Sequence, residues 1–284
     1  MLPWRHVDWQ IHSRLMSTRK IESVLYVDDD PDICEVVKTT LCLIAGLDVH
    51  TAGSGERAID LAYELHPDLV LMDVMMPGLD GPSTLKRMRE HALLADIPVV
   101  FLTAKVLPAE VAHFLQLGAI GVIGKPFDPL KLCDELFALW QHSGVEREKI
   151  KGTDCERSRV KAEVSSLADS FLERTRSDVV QLRAIFGRAR HENRSVFEEV
   201  QRIAHSIHGA GAMFGFPEVS ATGGAIERLV EDVMANTAAL SSVCEPAILQ
   251  QFLDFTYQLA NDVDAGAHSA LSGAGMFDGP GAGR

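Results

Sequence analysis

The 284-residue sequence has no excess of basic residues and no long apolar run. Its 40 aspartate and glutamate residues outnumber its 27 lysine and arginine residues, giving a formal net charge of −13. An acidic chain without a basic stripe is repelled by polyanions, so we expect no nucleic-acid binding and no attachment to an anionic membrane surface. No apolar run approaches the roughly 20 residues that cross a bilayer, so we expect no membrane-spanning helix.

Cysteine is also scarce. The five cysteines are odd in number, and none lies in a Cys-x-x-Cys pair or at Cys/His metal-ligand spacing. This usage is typical of reduced thiols and argues against a disulfide framework or a structural zinc site. We therefore expect a cytoplasmic protein.

Short apolar runs alternate with amphipathic stretches between residues 21 and 142. Asp30 and Pro31 suit the start of a helix, and Gly46 suits its end. Five strands alternating with five helices predict a parallel sheet with helices on both faces. The predicted strands cover residues 23–27, 48–52, 69–73, 97–102 and 121–124.

Polar residues follow the predicted strands at their carboxyl ends: Asp28, Asp29, Asp73, Thr103 and Lys125. Parallel strands bring these ends to one edge of the sheet, where ligands bind in open α/β folds. Crowded carboxylates repel one another, and Mg²⁺ relieves that repulsion with oxygen ligands. The lysine and the hydroxyl suit phosphoryl oxygens, and a carboxylate can form an acyl phosphate. Each residue alone is more simply a helix cap, a strand residue or a solvated charge; the combination indicates a site.

The segments that carry these residues resemble the receiver domain of two-component response regulators. They are Val27-Asp28-Asp29, Met72-Asp73-Val74-Met75-Met76-Pro77-Gly78-Leu79-Asp80-Gly81, Thr103-Ala104 and Lys125-Pro126-Phe127. The resemblance covers residues 21–142 and implies a flavodoxin-like (βα)5 fold with a parallel five-stranded sheet. It also implies a cis peptide bond before Pro126.

The same resemblance implies a role for each site residue. Asp73 would be the phospho-acceptor, and Thr103 and Lys125 would contact the phosphoryl group. Mg²⁺ would be held by Asp28, Asp29, Asp73 and the backbone carbonyl of Met75. Many receivers have an aromatic residue where this chain has Val122, so we expect the usual aromatic signal to be altered. A phosphatase of the haloacid dehalogenase type would have a second aspartate at Met75, and we do not favour that reading.

The remaining segments differ in period and composition. Residues 1–20 show no convincing period and are predicted to be an N-terminal extension. Residues 143–163 are polar and predicted to be a linker. Four amphipathic stretches over residues 164–263 predict an antiparallel four-helix bundle. Residues 264–284 are rich in Gly, Ala and Ser and are predicted to be a disordered tail.

The second bundle helix carries His205 away from its apolar stripe, which includes Ile203 and Ile207. A neutral imidazole is a good nucleophile near neutral pH, whereas a lone exposed helical histidine usually has no role. A glycine inside a helix costs about 1 kcal/mol relative to alanine, so a nearby glycine suggests room for a partner. We therefore predict an exposed ridge formed, at about 100° per residue, by His205, Gln201, Gly209 and Ala212.

The segment Ala204-His205-Ser206-Ile207-His208-Gly209-Ala210-Gly211-Ala212-Met213-Phe214-Gly215, followed by Ala225-Ile226-Glu227, resembles the histidine phosphotransfer (HPt) domain. The resemblance covers residues 164–263 and implies that His205 is phosphorylated. The family commonly has lysine where this chain has His208. Because His208 is positive only when protonated, we expect phosphotransfer that is slower or pH-dependent.

The two resemblances together predict an intermediate of a phosphorelay. Its partners would be a sensor histidine kinase and other receiver domains. No nucleotide-binding segment accompanies His205, so we expect a phosphate carrier and no kinase enzyme. The alternative is a regulatory binding module, gated by phosphorylation of Asp73, whose HPt-like bundle is not itself phosphorylated.

Overall fold

The computed structural model describes residues 20–104, 106–141, 153–188, 194–235 and 246–271. The chain divides into two compact units, Met1–Lys161 and Ala162–Arg284. Nearly all of the predicted N-terminal extension lies outside the described residues, as do residues 143–152 of the predicted linker and 272–284 of the predicted tail.

The first unit is a parallel sheet in which strands alternate with helices along the chain. The strands are β1 (Ser23–Val27), β2 (Asp48–Ala52), β3 (Leu69–Asp73), β4 (Val99–Thr103) and β5 (Gly121–Gly124). The helices are α1 (Pro31–Ala45), α2 (Gly55–Leu65), α3 (Gly81–Glu90), α4 (Pro108–Gln116) and α5 (Pro129–Gln141). The strand order is β2-β1-β3-β4-β5, and each neighbouring pair is parallel. The predicted α/β fold is confirmed.

Local signals set the start and end of α1 as expected. The carboxylate of Asp30 accepts hydrogen bonds from the backbone N–H groups of Asp32 and Ile33, which have no partner within the helix. Pro31 occupies the first turn, where its missing N–H costs nothing. Gly46 ends the helix in the left-handed region at φ 66°. Because β1 ends at Val27 and α1 begins at Pro31, Asp28 and Asp29 lie in the loop between them.

The centre of the sheet is fully enclosed. All five residues of β3 and all five of β4 are buried. Helices cover both faces of such strands, which is why their sequences are continuous apolar runs with no alternation. Asp73 and Thr103 end these two strands, and so the core positions two polar side chains at one edge of the sheet.

The second unit contains helices α6 (Asp154–Arg188), α7 (Arg194–Met213), α8 (Pro217–Ala235) and α9 (Pro246–Leu271). Helices α7 and α8 run antiparallel, since Gln201 contacts Glu231 and His205 contacts Glu227. Three stacked rings lie in the core of the unit: Phe171, Phe214 and Phe216. The predicted helical bundle is confirmed.

Two helices extend beyond the bounds predicted for the bundle, residues 164–263. Helix α6 begins at Asp154, inside the predicted linker, because Thr153 and Glu156 form a reciprocal N-terminal cap. The Glu156 carboxylate accepts a hydrogen bond from the Thr153 N–H at 2.6 Å, and the Thr153 hydroxyl accepts one from the Glu156 N–H at 3.3 Å. Helix α9 continues to Leu271, beyond the predicted end at residue 263. Its Gly266 packs so closely on Phe216 that an added Cβ would lie 3.0 Å from the ring. Gly266, one of the small residues that suggested disorder, is here a packing residue.

The longest helices are α6, with 35 residues, and α9, with 26 residues. In both helices polar residues interrupt the apolar ones. Within the described ranges, no helix combines the length and the apolar character that crossing a membrane requires.

Candidate functional site

Three charged side chains meet at the carboxyl edge of the sheet. The Lys125 ammonium follows β5 and lies 2.7 Å from Asp28 Oδ2 and 3.0 Å from Asp73 Oδ1. All three residues are buried, with relative exposures of 6%, 1% and 1%. The chain positions 28, 73 and 125 are brought together because β1, β3 and β5 are parallel and end at the same edge.

The local electrostatics keep Lys125 charged. Burial alone would lower the pKa of its ammonium group, but the Asp28 and Asp73 carboxylates outweigh that effect and raise the pKa above its ordinary value. Removal of the buried cation would leave two buried carboxylates without an opposite charge, which is strongly unfavourable. The site therefore carries a fixed positive charge beside the Asp73 carboxylate.

The carboxylates suit a hard divalent cation. Asp28, Asp29 and Asp73 each offer an oxygen atom, and these atoms all lie within 4.8 Å of one another. Asp29 is half-buried, whereas the other two are buried. Three negative charges with one lysine leave an excess of negative charge, and oxygen ligands are those that Mg²⁺ prefers. The residues present fit Mg²⁺; the part predicted for the Met75 carbonyl stays a prediction.

Thr103 lies beside this cluster, at the end of β4. Its backbone oxygen accepts a hydrogen bond from the Lys125 N–H at 2.7 Å, and it pairs with Gly124 in the β4–β5 register. The Lys125–Pro126 peptide bond is cis, as the resemblance implied. Val122 pairs with Phe101 and is half-buried against the apolar core. The proposed contact of Thr103 with a phosphoryl group stays a prediction.

The loop after Asp73 is folded back onto the strand. The Gly81 N–H donates to the Val74 oxygen at 3.0 Å. A side chain at Gly81 would collide with the Asp73 carbonyl oxygen, so the first turn of α3 approaches the end of β3 closely only because glycine stands there. This packing fixes the backbone that carries the Asp73 carboxylate.

Tyr26 is a site residue that the sequence reasoning missed. Its ring is fully buried, and its hydroxyl donates to Asp28 Oδ2 at 2.7 Å. The available signal was strand alternation, since residues 26 and 28 are two apart and share one face of the chain. Burial, followed by the charge of Asp28, raises the pKa of Tyr26 well above its ordinary value. The hydroxyl is thus a donor throughout the physiological range.

The predicted exposure of His205 is wrong. The residue is only 5% exposed, and its Nδ1 lies 3.0 Å from Oε1 of Glu227, which is 3% exposed. Helix α7 has two packed sides: the apolar stripe faces the rest of the bundle, and the side with His205 faces α8. The second side is built from small and polar residues, so an analysis of apolar period marks only the first as buried.

The other residues of the predicted ridge follow the same pattern. The Gln201 amide donates to Glu231 on α8 at 3.1 Å. Gly209 is buried, and Ala212 is half-buried. The ridge is therefore a helix interface, and the expectation that Gly209 leaves room for a partner on an open face is wrong. The roles predicted for these residues in phosphotransfer stay predictions.

His208 is turned toward α8. Its Nδ1 lies 2.8 Å from the Ser220 backbone oxygen, which requires a hydrogen on Nδ1, and the Ser220 hydroxyl donates to the His208 backbone oxygen at 2.7 Å. A side chain at Gly224 would lie 2.9 Å from the same Nδ1. The ring therefore fills a space that glycine leaves on α8, and a reciprocal pair of hydrogen bonds joins the two helices.

Glu227 is the second residue that the sequence reasoning missed. It formed part of the matching segment but received no role. Its carboxylate accepts a hydrogen bond from Nδ1–H of His205, which leaves the lone pair of the neutral imidazole on Nε2. This arrangement defines which ring nitrogen of His205 can act as a nucleophile.

Both segments match known families. Residues 24–137 match the response regulator receiver domain, and residues 166–265 match the Hpt domain. The first segment is 40% identical over 111 residues to the probable transcriptional regulator ycf27 of Guillardia theta, covering 39% of this chain and 42% of that protein. It is 37% identical over 108 residues to the regulatory protein AtoC of Escherichia coli K12, covering 38% of this chain and 23% of that protein. The chain thus spans less than half the length of these curated relatives.

One solved structure is similar to part of the chain. The chemotaxis response regulator CheY4 of Vibrio cholerae is 32% identical, and the match covers 42% of this chain and 99% of CheY4, with a TM-score of 0.40.

Proposed function

We propose that this chain, which joins a response regulator receiver domain over residues 24–137 to an Hpt domain over residues 166–265, carries phosphate in a phosphorelay. Its receiver would accept phosphate on Asp73 from the phosphohistidine of a sensor histidine kinase. Its Hpt domain would exchange phosphate with receiver domains through His205. The chain would act in the cytoplasm as a stoichiometric carrier, with ATP consumed only by the kinase.

The first step is attack by the Asp73 carboxylate on the phosphorus of a donor phosphohistidine. An O–P bond forms, the N–P bond of the donor breaks, and the donor imidazole leaves with its lone pair. Lys125, 3.0 Å from Asp73 Oδ1, offsets the negative charge on the phosphoryl oxygens. Mg²⁺ held by Asp28, Asp29 and Asp73 would supply further positive charge when bound.

The second step uses the Nε2 lone pair of His205. Glu227 holds the opposite nitrogen as Nδ1–H, which orients the ring and stabilises positive charge on the imidazole as Nε2 bonds to phosphorus. In the forward direction an N–P bond forms and the O–P bond of a receiver phospho-aspartate breaks, regenerating its carboxylate. The reverse reaction follows the same path. Because His205 is 5% exposed, transfer requires the side chains that cover the ring to move.

The buried Asp28–Lys125–Asp73 arrangement is the observation that carries this proposal. We expect the chain to incorporate radiolabel from acetyl phosphate in the presence of Mg²⁺, and incorporation to stop after chelation with EDTA. Asp73→Ala should abolish labelling, whereas Asp60→Ala, on the exposed side of α2, should label like wild type. Labelling of Asp73→Ala at the wild-type level would refute the assignment of the acceptor.

The burial of His205 favours a second candidate function. In it, phosphorylation of Asp73 changes how the bundle binds a kinase or a receiver, and His205 accepts no phosphate. The two functions predict different results when the radiolabelled chain is incubated with a second receiver protein. A phosphate carrier transfers its label to that receiver, and His205→Ala abolishes the transfer. A binding module keeps its label, both as wild type and as His205→Ala.

A further inference from the structure

Tyr26 contacts the candidate magnesium site from inside the sheet. It is fully buried on β1, and its hydroxyl donates to Asp28 Oδ2 at 2.7 Å. A buried tyrosine hydroxyl needs a hydrogen-bond partner, and an apolar strand residue would need none at this position. Burying the Tyr26 hydroxyl therefore costs free energy unless its hydrogen bond to the Asp28 carboxylate offsets that cost.

The contacts of Asp28 divide its two oxygens between different tasks. Oδ2 accepts from the Tyr26 hydroxyl and from the Lys125 ammonium, both at 2.7 Å. Oδ1 accepts from the Asp30 backbone N–H at 3.0 Å. A carboxylate oxygen has two in-plane lone pairs, so Oδ2 is saturated by its two donors, whereas Oδ1 retains capacity for a cation.

We propose that Tyr26 is a positioning residue for Mg²⁺ binding, which acts by holding Asp28 Oδ2 on Lys125 so that Oδ1 is the oxygen left for the cation. This inference rests on the proposed function, because it takes the acidic cluster to be the magnesium site of the receiver. Loss of the hydroxyl would leave the Asp28 carboxylate held on this side by Lys125 alone, and the carboxylate could then turn. Partners that orient metal ligands typically contribute about 10- to 100-fold to metal affinity.

The test is calorimetric titration of Mg²⁺ into the full chain and into Tyr26→Phe, which keeps the ring and removes only the hydroxyl. We expect the dissociation constant of Tyr26→Phe to be about tenfold higher than that of wild type. Tyr63→Phe is the matched control, since Tyr63 is 54% exposed on α2 and should bind Mg²⁺ like wild type. Equal affinity in wild type and Tyr26→Phe would overturn the inference and show that the hydroxyl matters only for packing.

A second measurement holds even if Tyr26→Phe does not fold. In the variant Tyr63→Phe/Tyr257→Phe, which alters two exposed residues, Tyr26 is the single tyrosine of the chain. Carbon-13 labelling of the tyrosine ring then gives one Cζ resonance, which should shift on saturation with Mg²⁺ because the Asp28 carboxylate is shared. A resonance that does not move while calorimetry records binding would overturn the inference. Wild type that binds no Mg²⁺ would instead remove the magnesium site from the proposed function.

Discussion

His205 and Glu227 form a buried pair across two helices: Nδ1 of the imidazole on α7 lies 3.0 Å from the carboxylate Oε1 on α8, and neither side chain is more than 6% exposed. The pair holds the hydrogen of the neutral imidazole on Nδ1 and so leaves the lone pair on Nε2. It also binds α7 to α8 at the position where phosphate would be carried. The same contact thus serves both the fold of the bundle and its proposed chemistry.

Replacing Glu227 with Gln should slow phosphotransfer through His205 by tenfold or more. The amide retains an oxygen acceptor but removes the negative charge that stabilises a positively charged imidazole. Single-turnover transfer from a phosphorylated receiver would measure the rate. Glu231→Gln is the matched control, one turn along α8, where the carboxylate contacts Gln201. Equal rates for Glu227→Gln and wild type would show that the pair has no chemical role.

Replacing Lys125 with Met should destabilise the receiver domain by about 3 kcal/mol, because Asp28 and Asp73 would remain buried without their shared cation. Mg²⁺ should restore part of the loss by supplying positive charge to the same carboxylates. Urea denaturation with and without Mg²⁺ measures both effects. In Lys131→Met, which disrupts an exposed pair with Asp128, stability should change by less than about 1 kcal/mol. A loss of similar size in both variants would contradict the account.

Replacing His208 with Lys, the residue that the family commonly has at this position, should destabilise the Hpt bundle. The substitution removes the ring that fills the space beside Gly224 and donates to the Ser220 oxygen, and a lost hydrogen bond costs about 0.5–1.5 kcal/mol. His208→Asn retains a short donor and should lose less. Thermal denaturation of the three proteins measures the order. Lysine as stable as the wild-type histidine would show that the ring does not join the helices.

Alkaline pH should weaken the receiver domain partly through Cys133. Burial raises the pKa of this thiol from 9.0 to about 12. Between pH 9 and pH 12 the Cys133 thiol therefore stays protonated in the folded protein and ionises in the unfolded chain. Its contribution to stability is full below pH 9 and is lost as the pH rises toward 12. Between pH 8 and pH 10.5, wild type should lose about 2 kcal/mol more than Cys133→Ala. Urea denaturation at both pH values tests this, and parallel losses would contradict it.

The receiver fold and most of its site could be predicted from the sequence because the signals are local. Strands β1, β2, β3 and β5 have the predicted bounds, and parallel topology alone brings Asp28, Asp73 and Lys125 to one edge. The packing of the helical bundle was harder to predict from the sequence. An apolar period marks one buried side of a helix, whereas α7 has a second side whose contacts are specific pairs such as His205 with Glu227.

Residues that act through one partner were likewise hard to find. Tyr26 looks like an ordinary β-strand residue until its hydroxyl is seen on Asp28. Glu227 lies 22 residues from His205, and only the register of α7 on α8 joins them. Periodicity identifies faces of elements; it does not identify which polar side chains meet across an interface.

The stability of the bound phosphate in acid and base tests the central claim most directly. Acyl phosphates are lost in base, whereas phosphohistidine survives base and is lost in acid. Radiolabel loaded from acetyl phosphate should partition between a base-labile pool on Asp73 and a base-stable pool on His205. Asp73→Ala should lack the base-labile pool, and His205→Ala should retain only the base-labile one. Base-stable label that persists in His205→Ala, or wild type that never acquires it even beside a second phosphorylated receiver protein, would contradict the phosphorelay.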